Sequence, residues 1–121
     1  MPYNYFSNND FRNANPSCSI DDMEENFLHR LDVARYLSGV PFIINSAYRT
    51  EDHEKKQGRD GDSPHTQGVA VDIKCTNSVA RQKIIDGLRG AGFNRIGIYK
   101  SFIHCDFDKR PHKDQNVTWY V

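Results

Sequence analysis

The sequence predicts an α+β domain: a small, mainly antiparallel sheet with helices covering one of its faces. Three observations carry that reading. Two long stretches repeat apolar residues at helical spacing, shorter stretches are β-branched or strictly alternating, and the last two of these lie close enough to form a hairpin. At 121 residues the chain forms one domain, residues 1–121, able to bury roughly two thirds of its unfolded surface in one core.

Residues 1–18 are rich in Asn, Ser, Phe and Tyr without a clean period, which predicts an irregular arm packing a few aromatics on the body. Asp21-Asp-Met-Glu24 has a capping-box arrangement and predicts the start of a helix. Phe27, Leu28, Leu31, Ala34 and Leu37 form its apolar stripe, and Gly39 its stop. Pro41–Asn45 reads as a short buried strand. Glu51 to Pro64 turns polar, predicting a surface loop after at most one helical turn. Within it, Asp60-Gly-Asp62 lacks the spacing and terminal Glu of a calcium loop and reads as a plain turn.

Gly68 to Lys74 alternates, with Val69, Val71 and Ile73 on the core face and Ala70, Asp72 and Lys74 on the other. Asn77 caps a second helix, with Val79, Ala80, Ile84, Leu88 and Ala91 apolar up to Gly92. Arg95–Tyr99 and Phe102–Asp108 complete the sheet as a hairpin through Lys100 and Ser101. In the last strand Ile103, Cys105 and Phe107 face the core, leaving Phe102, His104 and Asp106 on the other face.

Sixteen basic and sixteen acidic side chains cancel, so no global field favours nucleic acid or an anionic membrane. No apolar run approaches the ~18 residues of a membrane span, and the N-terminus lacks the basic and apolar regions of a secretory signal. A monomer made in the cytoplasm is expected. Cys18, Cys75 and Cys105 match no Cys-x-x-Cys motif. They read as reduced thiols, with a Cys18–Cys75 bridge as the alternative.

The chemistry concentrates in His65, Asp72 and His104. Asp72 and His104 project from the same sheet face, where neighbouring strands place side chains about 5 Å apart, and His65 folds in from the preceding loop. Two imidazoles and a carboxylate make a three-ligand zinc set with the fourth position open to water, the pattern of a catalytic site. One Zn²⁺ per chain is the implied cofactor. A metal-free polar network of the same residues is the alternative. Arg49, in Ser46-Ala-Tyr-Arg49, offers a planar fork of donors for a substrate carboxylate or carbonyl, or else an ion pair with Glu51 or Asp52. His29 and His112 read as solvent-exposed, and His53 carries no assigned chemistry.

With these residues in place the chain resembles the M15 zinc peptidases, the D-alanyl-D-alanine carboxypeptidase-like group that cleaves bacterial peptidoglycan peptides. The resemblance spans about Phe27 to Trp119. It rests on Val40-Pro-Phe-Ile-Ile-Asn-Ser-Ala-Tyr-Arg-Thr50, His65-x-x-Gly-x-Ala-x-Asp72-Ile, Ile96-Gly-Ile-Tyr99 and Phe102-Ile-His104-x-Asp106. It implies zinc held by His65, Asp72 and His104, substrate engaged by Arg49, and the fold shared with hedgehog domains, which keep the metal site without an established peptidase role. The small size is most like compact members encoded by bacteriophages, acting on the envelope late.

One departure concerns the proton acceptor. Relatives carry Asp or Glu three residues before the final zinc histidine, or a second His two residues before it; here those positions are Ser101 and Phe102. Asp106 is the nearest replacement as general base, unless it orients a metal ligand. Asp52, Glu54, or metal-bound hydroxide without a dedicated base are the other possibilities. The expected activity is hydrolysis of short D-amino-acid-containing wall peptides. A non-catalytic zinc module that binds a wall peptide or a protein partner is the competing class.

Overall fold

The computed structural model describes residues 3–121. Five strands, β1 (Ile44–Ser46), β2 (Ala70–Lys74), β3 (Arg95–Ile98), β4 (Phe102–Asp106) and β5 (Val117–Tyr120), form one sheet in the order β1-β2-β4-β3-β5. All neighbours are antiparallel except β3 and β5, which run parallel. Four helices accompany it: α1 (Asn8–Arg12), α2 (Glu25–Ser38), α3 (Glu51–Lys56) and α4 (Ser78–Gly90). The predicted α+β class is the observed one. No helix among the described residues is long and apolar enough to cross a membrane.

Alternation in β2 and β4 divides the sheet as expected. Val71, Ile73, Ile103 and Cys105 are fully buried in the core with Phe27, Leu31, Ile84 and Leu88 from α2 and α4. The opposite face carries a row set by register, in which Ser46 is level with Asp72, Asp72 with His104, His104 with Gly97, and Gly97 with Trp119. That row is the floor of the site. A Cβ on Gly97 would lie 2.5 Å from the Trp119 Nε1, so the indole occupies the space a side chain would fill.

Several boundaries differ from the sequence reading. The arm holds a real helix, α1, whose Asp10 carboxylate accepts the Ser7 N–H at 2.9 Å and whose Phe11 is wholly buried. Helix α2 begins four residues after Asp21. Glu24 caps it, accepting from the Asn26 and Phe27 N–H groups, while Ser19 and Asp22 close a separate short turn at Ile20–Asp22. Leu37 and Val79 lie off the buried stripes, 50% and 69% exposed. The strand at Pro41–Asn45 is shifted and shortened to β1, and β4 ends at Asp106 instead of Asp108. Helix α3 exceeds the single turn expected. Strand β5 was not anticipated. The three cysteines are free thiols, and Cys18 and Cys75 form no bridge.

Helices α2 and α4 touch at Gly87, where an added Cβ would lie 2.5 Å from the Ala34 carbonyl oxygen and 2.8 Å from the Ser38 Cβ. Backbone cannot yield as a flexible side-chain tip does. Gly87→Ala is therefore expected to destabilise the fold by about 1–3 kcal/mol despite alanine's better helix propensity. Urea denaturation checks this; an unchanged or higher midpoint would contradict the close crossing.

Candidate metal centre

The three predicted ligands meet on the open sheet face. Asp72 and His104 are directly opposed on β2 and β4, and Asp72 Oδ1 stands 3.0 Å from His104 Nδ1. His65 comes from the short helical turn Pro64–Gln67, which Ser63 caps by accepting the His65 N–H. Its Nε2 is 3.4 Å from Asp72 Oδ1. All three ligand atoms lie within 4.8 Å of one another, and the two imidazole rings meet at 60°.

What lies behind the imidazoles fixes which nitrogen each offers. His65 Nδ1 is 2.7 Å from the Ala47 carbonyl oxygen. A carbonyl can only accept, so Nδ1 carries the proton and Nε2 presents its lone pair to the site. His104 Nε2 is 2.7 Å from Asp106 Oδ2. Asp106 Oδ1 accepts from the Arg95 Nε at 2.7 Å and the Asp108 N–H at 2.9 Å. Burial raises the Asp106 pKa, but the His104 bond, the His104 charge and the donors from Asp108 and Arg95 outweigh it and hold the carboxyl below its ordinary range. An ionised Asp106 therefore receives the His104 Nε2–H and leaves Nδ1 facing Asp72.

These features fit a metal ion. Two ligands about 2.05 Å from a tetrahedral zinc stand about 3.3 Å apart, close to the 3.0 and 3.4 Å that separate Asp72 from the two histidines. Each imidazole of the group is oriented by an acceptor on its far nitrogen, the support that metal-ligating histidines use. Without a metal the same carboxylates favour the protonated form of His104. Burial lowers its pKa, yet the hydrogen bonds to Asp106 and Asp72 win and raise it. Burial opposes the charge of Asp72, but the His104 hydrogen bond and the His65 imidazole beside it hold it well below the usual carboxylate range. Metal binding and protonation therefore compete for the same nitrogen.

His65, Asp72 and His104 line a cleft of about 290 Å³ with Arg49, Arg59, Tyr99 and Trp119. Arg49 is anchored at its base: its Nε donates to Glu54 Oε2 at 2.9 Å and its Nη1 to the Ser46 hydroxyl at 3.1 Å. Its acidic partner is thus Glu54, from α3, and neither Glu51 nor Asp52. Glu54 is fully buried and also receives the Ser63 hydroxyl, which ties the His65 turn to the Arg49 support. Asp106 does not reach the cleft surface, with no exposed area and both oxygens occupied. Ser101 sits exposed in the β3–β4 turn, and Phe102 stacks on Tyr99 at 4.2 Å.

Three contributors escaped the sequence reading. Arg95 had a signal, because a hairpin turning at Lys100–Ser101 places residue 95 across from residue 106. Tyr99 falls across from Phe102 by the same register. Trp119 arrives on β5, and its indole N–H donates to the Tyr99 hydroxyl at 3.2 Å beside His104. Only its β-prone neighbours, Val117 to Val121, hinted at that strand.

The fold and site define a small α+β protein whose sheet presents a His–Asp–His group able to hold a metal. A family model described as Peptidase M15 matches residues 5–106, and the chain belongs to that family of zinc peptidases. No curated protein and no solved structure matches it.

Glu54 gives the site a pH-dependent support. Burial opposes its charge, but the bonds from Ser63 and Arg49 lower its pKa below the ordinary 4.5. A depressed carboxylate pKa contributes stability above the unfolded value and loses it as pH falls through the folded one. Glu54→Gln is expected to cost about 1–3 kcal/mol at pH 7 by leaving Arg49 without its countercharge. The difference from wild type should shrink below pH 4 in urea titrations; a gap that stayed constant with pH would contradict the ionised pair.

Proposed function

We propose that this chain is a zinc-dependent peptidase that hydrolyses short D-amino-acid-containing peptides of bacterial peptidoglycan. The observation that carries the reading is the fixed orientation of both imidazoles, each held from behind so that its other ring nitrogen faces the Asp72 carboxylate in an open cleft. His65, Asp72 and His104 would hold the ion. When bound, Zn²⁺ supplies Lewis acidity and a water that ionises near neutral pH.

The rest falls to the chain's own groups. Arg49, fixed by Glu54 and Ser46, directs its remaining guanidinium donors at a substrate oxygen. Tyr99 accepts from Trp119 and keeps its own O–H to donate. Asp106 holds the His104 tautomer, which makes it a positioning residue. Asp72 is the one carboxylate among the described residues lining the cleft, so proton acceptance has no second acidic group beside the substrate.

That last feature also favours a second reading, a zinc module that binds wall peptides without cleaving them. Digestion of purified peptidoglycan by the zinc-loaded protein, followed by mass spectrometry of the soluble muropeptides, separates the two. New amine and carboxyl ends are expected. Retention of peptide with no new ends would overturn the hydrolytic reading in favour of the module.

A further inference from the structure

Three arginines line the metal cleft, and two are committed: Arg49 to Glu54 and Arg95 to Asp106. Arg59 is exposed and makes no side-chain hydrogen bond or ion pair among the described residues. A second cation stands in the same condition. Lys74 shares the open face of β2 with Asp72, two residues and about 6.6 Å further along the strand. It lines a groove of about 810 Å³ that meets the cleft at Asp72 and Phe102.

The two cations flank the metal group from opposite ends. Arg59 belongs to the segment leading into the His65 turn, which lies at the Ala70 end of β2. Arg110 fastens that segment through Asp62, at 2.5 Å, from just beyond β4, whose Asp106 pairs with Ala70. Lys74 pairs with Phe102 at the other end. The Arg59 backbone is held as well, its N–H donating to the Glu54 carbonyl at 2.9 Å. A cation on a pinned segment loses less conformational freedom on meeting a ligand.

Charge gives the sign of that ligand. Taking both imidazoles as neutral, Arg49, Arg59, Arg95 and Lys74 exceed Glu54, Asp72 and Asp106 by one positive charge, and a bound divalent ion makes the surplus three. Asp10 and Arg35, further along the groove, offset each other. The chain as a whole is neutral, so this excess is local to the site.

We propose that the site selects a diacidic peptide laid along β2, with one carboxylate at Arg59 and another at Lys74. This deepens the peptidase reading and rests on it for the reaction, though binding can be measured without it. The carboxylates have two sources in a wall peptide, the free α-carboxyl of a γ-linked D-glutamate and the chain terminus.

The test uses L-alanyl-γ-D-glutamyl-L-lysyl-D-alanyl-D-alanine in four forms: both carboxylates free, either one amidated, and both amidated. With the zinc-loaded protein, each single amidation is expected to raise KM about tenfold, the low end for solvated hydrogen bonds to charged groups. Arg59→Gln should abolish the penalty for one amidation and Lys74→Gln the penalty for the other, which assigns each source to its cation. Raised ionic strength should weaken the acidic form most. The same peptides titrated by NMR into the zinc-free protein, where no hydrolysis interferes, should show the same ranking of Kd. If the zinc-loaded protein cleaves nothing but binding follows this ranking, the peptidase reading falls and the diacidic site stands. If all four forms are cleaved and bound within twofold of one another, or the amidation penalties persist in both variants, the diacidic site is overturned.

Discussion

His104→Ala is expected to strip the purified protein of most of its zinc, from about one equivalent in wild type, and to remove hydrolysis with it. The loss would follow from the position of Nδ1, which faces Asp72 at 3.0 Å and whose one neighbouring imidazole in the group, His65, would already be in use there. A metal contributes several kcal/mol of charge stabilisation to such a reaction, so cleavage should fall by about a thousandfold or more. Asp72→Asn should weaken metal binding while keeping the shape, because the amide loses its attraction for a dication. Cys105→Ser is the matching control: Cys105 is buried on the core side of β4, so zinc content should hold. Elemental analysis after dialysis reads all three. Full occupancy in a His65/His104 double variant would exclude this group as the metal site.

The second large effect belongs to Asp106→Asn. An amide has one accepting oxygen where the carboxylate serves His104, Arg95 and the Asp108 N–H. Its NH2 would face a donor, and the buried Arg95 guanidinium would lose its countercharge. Breaking a buried ion pair by removing one partner costs about 3–5 kcal/mol, and losing the support behind a metal-bound histidine lowers affinity about 10–100-fold. Denaturant unfolding and competition against a zinc chelator should therefore both shift. A base in contact with substrate would behave differently, with turnover falling while stability and zinc affinity stayed at wild-type values. That outcome would remove Asp106 from its place behind His104.

The site was legible from period and register. Strict alternation from Gly68 to Lys74 assigned Asp72 its face, and the hairpin at Lys100–Ser101 did the same for His104. What escaped depends on contacts between distant segments. Nothing local shows that Glu54, on a short and highly polar helix, is swallowed by the fold through Arg49 and Ser63. The start of α2 was misplaced because Asp21 and Glu24 are both acceptable caps, and the Gly68 carbonyl accepting the Glu24 N–H helps to decide between them. Leu37 and Val79 fit a helical stripe by spacing. The tight crossing at Gly87 instead puts Ser38 inside and leaves both of them in water. Strand β5 follows a polar connection and pairs in parallel with β3, a partner that no turn announces.

The row that ends at Trp119 gives the molecule an optical property. This is the sole tryptophan of the chain, and its ring centre lies 5.5 Å from that of His104 and 5.5 Å from the Arg95 guanidinium. Indole emission responds to charge within a few ångströms, and here His104 and Arg95 of the site lie within that range. Ultraviolet excitation of the unlabelled protein thus interrogates one cleft wall, so ligand arrival, proton loss from His104 and displacement of β5 each register in a single chromophore.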